Sequence, residues 1–311
     1  MDVPGHIDPL DPNTPPVDRS TWGPKRRAAF RSRSMEAFRE GLMLRGLPDV
    51  RSSVIDDLST YFNTDAEEVI YRATHAFELS TQEWNAASRN TPEDVRDFFL
   101  HVHTMCFGLL WHAYLQAEGY APPVAVMIAE DMTEAPPASV LDFGCGPGAA
   151  GAMFSLLGYN ATLADISVPL LKLTEFRLSR RNIPHTILDL NEQPPAPNTF
   201  QAVAAIQTFA SVVDVEGVAR NLHNCLRPGG ALYADFDARP RKPGDSRLYD
   251  DDLPLRRTVQ RVGFVQEHSV EHMTIRFRRV TPTGLAHRYR NVHDAVLLGP
   301  PRHVWRRLRY R

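Results

Sequence analysis

Near the middle of the 311-residue chain runs Val140-Leu-Asp-Phe-Gly-Cys-Gly-Pro-Gly148, a short apolar stretch that leads into three glycines at alternate positions. A segment rich in Ala and Gly follows directly. Glycines are needed where a chain turns tightly after a strand and lets a ligand lie against bare backbone. The pattern predicts a buried strand, a glycine-rich turn and a helix, the unit that opens many nucleotide-binding α/β domains.

Downstream of this turn, short apolar runs alternate with helical stretches, which predicts a mostly parallel sheet with helices between its strands. The predicted strands are Val140–Phe143, Ala161–Asp165, Thr186–Leu190, Ala202–Ile206 and Ala231–Phe236. Helices are predicted over Pro169–Arg181 and Val215–Leu226. Two further runs, Thr274–Val280 and Ala286–Leu298, carry the β-branched and alternating residues of antiparallel edge strands.

The N-terminal part differs in character. Residues 1–24 are rich in Pro and Asp, which predicts a flexible arm or a strap, and residues 25–132 read as helices. One helix is predicted to start at the capping-box sequence Thr64–Glu67. Another is predicted to start at Thr91-Pro92 and to run to Gly119, with apolar residues along one face. After a linker near residues 133–139, the α/β domain is predicted over residues 136–311.

Composition excludes several classes of protein. The formal net charge of −2 argues against general attraction to nucleic acid or to an anionic membrane. Three cysteines, Cys106, Cys145 and Cys225, form no CxxC pair, so neither a disulfide framework nor a zinc site is predicted. The start of the chain lacks the pattern of a secretory signal, and no apolar run is long enough to span a bilayer. We therefore expect a cytoplasmic protein with no metal; its oligomeric state is left open.

Asp165 ends the second predicted strand, 21 positions after Gly144. At that distance a carboxylate can accept hydrogen bonds from both hydroxyls of a ribose seated over the glycine turn. This feature serves NAD and S-adenosylmethionine equally. Both Gly144-x-Gly146-x-x-Ala149 and Gly146-x-Gly148-x-x-Gly151 also satisfy a dinucleotide fingerprint, so the spacing alone leaves both cofactors open.

Four motifs that follow one another along the chain favour one of these two cofactors. LDFGCGPG, ADIS, ILDL and the turn Leu226-Arg-Pro-Gly-Gly230 together resemble the class I, seven-stranded methyltransferase family that uses S-adenosylmethionine. The resemblance covers residues 136–298. It implies a Rossmann-like, doubly wound, mostly parallel seven-stranded sheet, with the N-terminal helices as an all-helical cap over the cofactor.

The resemblance also implies roles for individual residues. Asp142 helps hold the methionine end of the cofactor, and the turn from Gly144 through Cys145 and Gly146 to Gly148 packs against its amino acid and ribose. Asp165 binds the ribose. The adenine is contacted by Ile166 and by Asp189 with Leu190, and the end of strand four, where Gln207 stands, faces the cofactor. The segment Ala205–Phe209 offers neither an acid nor a base, so no catalytic residue is identified.

The acceptor pocket is expected in the helical cap, where we choose Tyr71, His75 and Trp111 as the residues that bind substrate. The leading hypothesis is methyl transfer to a small molecule of specialised metabolism. The alternative is an enzyme that uses S-adenosylmethionine without methylating, such as one that cyclises it to azetidine-2-carboxylate and releases methylthioadenosine. A non-catalytic binding module and an NAD oxidoreductase rank lower. The arginine-rich end, PRHVWRRLRYR, is interpreted as a solvated tail.

Overall fold

The structure is a computed structural model, and it describes residues 8, 14, 17–238, 246–271 and 274–281. The predicted strand Ala286–Leu298, the C-terminal tail and most of the N-terminal arm lie outside these residues. Among the helices of the described ranges, none combines the length and apolar character needed to cross a membrane.

The described residues form two compact units: those up to residue 194, with residue 246, make up the first, and residues 195–238, 247–271 and 274–281 make up the second. Their strands belong to a seven-stranded mixed sheet flanked by helices, which confirms the predicted α/β class. The helices of the first unit are α1 Pro24–Ala29, α2 Arg33–Leu42, α3 Val50–Phe62, α4 Ala66–Thr74, α5 Ala76–Ala86, α6 Pro92–His101, α7 Thr104–Glu118, α8 Val124–Met132, α9 Ala149–Leu156 and α10 Val168–Arg180. Its strands are β1 Ser139–Phe143, β2 Asn160–Asp165 and β3 Thr186–Asp189.

In the first unit the strands lie in the order β3-β2-β1, all parallel. The register pairs Phe143 with Ala164 and Asp165 with Asp189, so the carboxyl ends of the three strands lie at one edge. Strands of parallel sheets are buried on both faces, and most residues of β1 and β2 are buried. Ligands of open α/β sheets bind outside this edge, which positions the site described below.

Helices α1–α8, here called the helical cap, pack closely on the first βα unit, and their covering of the cofactor stays a prediction. Helix α2 crosses α9 at Gly41, where an added Cβ would lie 3.0 Å from the Cβ of Ala152. Helix α7 carries a long run of buried residues because it contacts α2, α3, α4 and α5 as well as α10. The predicted boundary between residues 132 and 136 stays a prediction.

The second unit contains β4 Phe200–Ala205, α11 Val215–Cys225, β5 Leu226–Asp235, α12 Asp252–Val262, β6 Phe264–Glu271 and β7 Thr274–Arg279. Its strands lie in the order β4-β5-β7-β6. Strands β4 and β5 are parallel, and β7 runs antiparallel to both β5 and β6. The prediction that β7 is an edge strand is therefore wrong, because β6, which the sequence did not predict, pairs with its other side.

Three boundaries also differ from the predictions. The single helix expected from Pro92 to Gly119 is broken at Val102, which adopts extended backbone while its side chain stays buried. The apolar spacing therefore continues across a break that periodicity does not detect. The helix expected at Thr64 is capped by Asp65, which accepts from the Glu68 N–H. Strand β5 begins earlier than expected, since the segment containing Gly229 bulges out of register with β4.

Candidate active site

The turn from Gly144 to Gly148, here called the glycine turn, leaves β1 at the carboxyl edge of the sheet. The N–H groups of Gly144 and Cys145 donate to the carbonyl of Ala164 in β2, at 2.8 and 3.1 Å, which fixes the start of the turn. Gly148 has φ +75°, and an added Cβ there would lie 2.5 Å from Thr174 Cγ2. Glycine is required at this position both by backbone conformation and by space.

Asp165 is buried at the end of β2 and holds the glycine turn directly. Its Oδ2 accepts from the Gly146 N–H at 3.0 Å, and its Oδ1 accepts from the Ser167 N–H at 2.9 Å. Burial raises the pKa of this carboxyl, and the two backbone N–H donors counter that shift. The structure thus brings together the glycine turn and the acid that the sequence singled out for the ribose.

Asp142 lies in β1, one residue from the strand end, and only 2% of its surface is exposed. Its Oδ2 is buried without a hydrogen-bond partner in the described structure. Burial raises the pKa of Asp142 to about 7; the Gly151 N–H lowers it and the negative charge of Asp165 raises it further. A buried carboxylate oxygen that lacks a donor next to a glycine-rich turn fits a cationic ligand group.

The next strand end along the edge carries Asp189. Its Oδ1 accepts from both the backbone N–H and the side-chain Nδ2 of Asn191, at 2.8 and 2.7 Å, and Nδ2 also donates to the carbonyl of Ile166. Leu190, directly after β3, continues the pairing of β3 with β2, because its N–H donates to the carbonyl of Asp165. Sequence reasoning missed Asn191, although the Asp-x-Asn spacing is typical of an Asx turn.

Behind the glycine turn, two side chains of α10 bind its carbonyl groups. The hydroxyl of Thr174 donates to the Gly146 carbonyl at 2.8 Å, and the Arg177 guanidinium donates to the Pro147 carbonyl. Arg177 is fully buried and pairs with Asp57 of the cap at 3.0 Å. Burial lowers the pKa of Arg177 to about 10, which still leaves it charged at neutral pH. Neither residue was predicted from the sequence.

Helix α7 of the cap lies against the front of the glycine turn. A Cβ at Gly146 would lie 3.5 Å from Leu109 Cδ1. Cys106, one turn earlier, is buried, which raises its pKa to about 12, and the negative charge of Asp165 raises it further. His112, one turn later, is half-buried, and burial lowers its pKa to about 4. The imidazole is therefore neutral and weakly basic near pH 7.

The three residues predicted to bind the acceptor occupy different places. Tyr71 is 51% exposed and its ring stacks on His75 with centroids 4.4 Å apart. Trp111 is buried in the cap and contacts Tyr114 edge to face. The structure brings Tyr71 and His75 together but places Trp111 elsewhere, and all three assignments stay predictions.

Gln207, which was predicted to face the cofactor, belongs to the second unit. It is exposed after β4 with φ 54°.

Comparison with known proteins identifies the family. A family model described as a methyltransferase domain matches residues 113–278, which is more than half of the chain. The chain therefore belongs to this methyltransferase family, and its cofactor is S-adenosylmethionine.

Among the relatives, malonyl-[acyl-carrier protein] O-methyltransferase of Pseudescherichia vulneris is 29% identical over 121 residues, covering 39% of this chain and 45% of its own. Ubiquinone biosynthesis O-methyltransferase of Xanthomonas campestris pv. campestris is 25% identical over 153 residues, covering 46% and 63%. The matches thus span about half the length of these relatives. The crystal structure of a TehB-like SAM-dependent methyltransferase from Corynebacterium glutamicum matches 61% of this chain and 100% of its own, with 18% identity and a TM-score of 0.45.

Proposed function

We infer that this chain transfers the methyl group of S-adenosylmethionine to a small-molecule acceptor. The observation that carries the proposal is the buried Oδ2 of Asp142, which has no hydrogen-bond partner in the described structure, at the foot of the glycine turn. S-adenosylmethionine contains an ammonium and a sulfonium, and a buried carboxylate is stabilised by such a charge. Family membership supports the same activity.

The residues of this edge fit the cofactor one by one. Asp142 holds the positively charged methionine end, and the glycine turn gives the close backbone approach that a side chain would block. Asp165 keeps lone pairs for the ribose hydroxyls while it pins the Gly146 N–H. Asp189, with Ile166 and Leu190, forms the adenine side. When bound, S-adenosylmethionine supplies an electrophilic methyl group.

The acceptor in this proposal is a nucleophile that reacts without strong help from a base. Burial lowers the pKa of His112 to about 4, so its imidazole is a weak base near pH 7. The sequence Ala205–Phe209 also lacks acidic and basic side chains. Amines and acidic hydroxyl groups meet this requirement, since orienting the two reactants supplies most of the acceleration of such a transfer.

The test is to incubate the purified full chain with S-adenosylmethionine, first alone and then with a panel of small amines and phenols, and to identify the sulfur product by mass spectrometry. The proposal expects S-adenosylhomocysteine together with an equal amount of methylated acceptor, and less of both with Asp142→Asn at the same cofactor concentration. Methylthioadenosine formed without any acceptor would contradict it and favour the cyclisation of the cofactor instead.

A further inference from the structure

The helical cap contains a cleft of about 420 Å³ between α4, α5 and the start of α7, here called the cap cleft. It lies on the side of α7 away from the glycine turn. Phe107 faces the cleft and Leu109 faces Gly146, and two residues along a helix point in nearly opposite directions. The lining of the cap cleft contains none of the residues assigned to the cofactor. Its lining includes Glu68, Tyr71, Arg72, Glu83, Thr104 and Phe107.

The charges of the cap cleft are unequal. Two carboxylates, Glu68 and Glu83, face it together with one guanidinium, Arg72, and the imidazole of His103. Arg72 is already engaged, because its Nε donates to Glu68 at 2.6 Å and its guanidinium lies 5.3 Å from the centroid of the Phe107 ring. Glu83 accepts a hydrogen bond from the Thr104 hydroxyl, a neutral partner. The two carboxylates thus outnumber the one guanidinium. Arg72 pairs with Glu68, whereas the contact described for Glu83 is to a neutral hydroxyl.

An aromatic surface borders the same cleft. One face of the Tyr71 ring is covered by His75, at an interplanar angle of 28°, while the residue as a whole remains 51% exposed. A ring with one covered face and high exposure presents its other face to solvent. The face of a phenol ring attracts cations through its quadrupole and packs against apolar groups.

We propose that the cap cleft binds a small organic ammonium ion, with the charged nitrogen toward Glu83 and the apolar body against Tyr71. An anionic ligand of the same shape is repelled by the two carboxylates and finds Arg72 already paired. A neutral ligand keeps the ring contact but gains nothing from the carboxylate. The site and its ligand class go beyond the cofactor site, and binding here requires no turnover.

The probes are 2-phenylethylammonium, 2-phenylethanol and phenylacetate, which share a ring and a short chain but differ in charge. Binding to the full chain without cofactor is measured by ligand-observed NMR titration. We expect the ammonium to bind about fivefold more tightly than the alcohol, and phenylacetate to bind more weakly than both. Equal binding of the three probes, or tighter binding of phenylacetate, would overturn the proposal.

Variants locate the binding. Glu83→Gln keeps an acceptor for the Thr104 hydroxyl but removes the charge, so we expect about threefold to fivefold weaker binding of the ammonium and unchanged binding of the alcohol. Tyr71→Leu weakens both probes. The control is Phe77→Ala, an equally exposed aromatic residue of α5 outside the cleft lining, which leaves both affinities unchanged. Ammonium binding that is insensitive to Glu83→Gln and Tyr71→Leu contradicts the assignment.

A calorimetric titration with S-adenosylmethionine on the same samples separates this proposal from the proposed function. If the chain binds the cofactor but does not prefer the ammonium, only the proposal of an ammonium site in the cap cleft is refuted. A chain that prefers the ammonium but does not bind the cofactor supports the cap cleft and refutes the proposed function.

Discussion

Asp57 of the cap and Arg177 of α10 form an ion pair in which both side chains are fully buried. The same guanidinium donates to the carbonyl of Pro147 in the glycine turn. Arg180, the last residue of α10, and Arg181, which follows it, also pair with Asp57, at 2.9 and 2.7 Å. One cap carboxylate therefore pairs with three arginines, and one of these, Arg177, also holds the glycine turn.

Replacing Asp57 leaves these arginines without their shared counter-charge. Removing one partner of a buried pair typically costs about 3–5 kcal/mol, and we expect Asp57→Asn to lower the free energy of unfolding by that amount. The measurement is urea denaturation followed by circular dichroism.

The matched control for this prediction is Asp56→Asn. Asp56 pairs with Arg180 at the surface, where it is 39% exposed, and such pairs contribute about 0–1 kcal/mol. Equal losses of stability in the two variants would show that the buried pair has no special role.

Gly148→Ala tests the space behind the glycine turn. The substitution combines a strained φ of +75° with a clash against Thr174 Cγ2, and we expect a loss of about 2–4 kcal/mol in unfolding free energy. Gly158→Ala is the control, because its φ is +90° but no atom lies within 4 Å of the added Cβ. That variant reports the backbone strain alone.

A second substitution checks the cause of the Gly148 effect. Thr174→Ser removes the clashing methyl group and keeps the hydroxyl that binds the Gly146 carbonyl. Gly148→Ala should lower the melting temperature more than Gly158→Ala does, because only the first variant has the clash. We expect the double variant Gly148→Ala, Thr174→Ser to recover most of this extra loss in thermal unfolding. No recovery would mean that the clash is not the cause.

Asp142 makes stability depend on pH in an unusual direction. Its pKa is about 7 in the folded chain, against an ordinary value of 3.8, so between these values the folded chain holds a proton that the unfolded chain has released. This contribution to stability is therefore lost as the pH rises from about 4 to 7, by on the order of 4 kcal/mol in total.

The measurement for this prediction is the difference in unfolding free energy between the wild-type chain and Asp142→Asn at pH 5 and pH 8, without cofactor. The comparison cancels the other carboxyl groups. We expect the wild type to lose more stability than the variant on going to pH 8. Parallel changes in the two proteins would place the titration elsewhere.

The sequence predicted the parts of this site that are local in the chain. Strands β1 to β4 start and end within two residues of their predicted bounds, because apolar runs next to glycine and polar residues mark them clearly. The juxtaposition of Asp165 with the glycine turn also followed from parallel pairing. These features depend on neighbouring residues and on the periodicity of strands and helices.

Contacts between distant segments could not be predicted in the same way. Asp57 and Arg177 are 120 residues apart, and nothing in either local sequence specifies its partner. The spacing of Arg177, Arg180 and Arg181 indicates only that one helix face is basic. The break at Val102 was missed because the residue stays buried, and β6 was missed because its alternation is interrupted where its register with β7 shifts.

The most direct test of the account is calorimetric titration of the full chain with S-adenosylmethionine, comparing the wild type with Asp142→Asn and Asp165→Asn and using Asp56→Asn as the control. The account predicts one cofactor bound per chain, at least about tenfold weaker binding in both site variants, and unchanged binding in the control. A wild-type chain that does not bind the cofactor, or site variants that bind it as tightly as the wild type, would contradict the account.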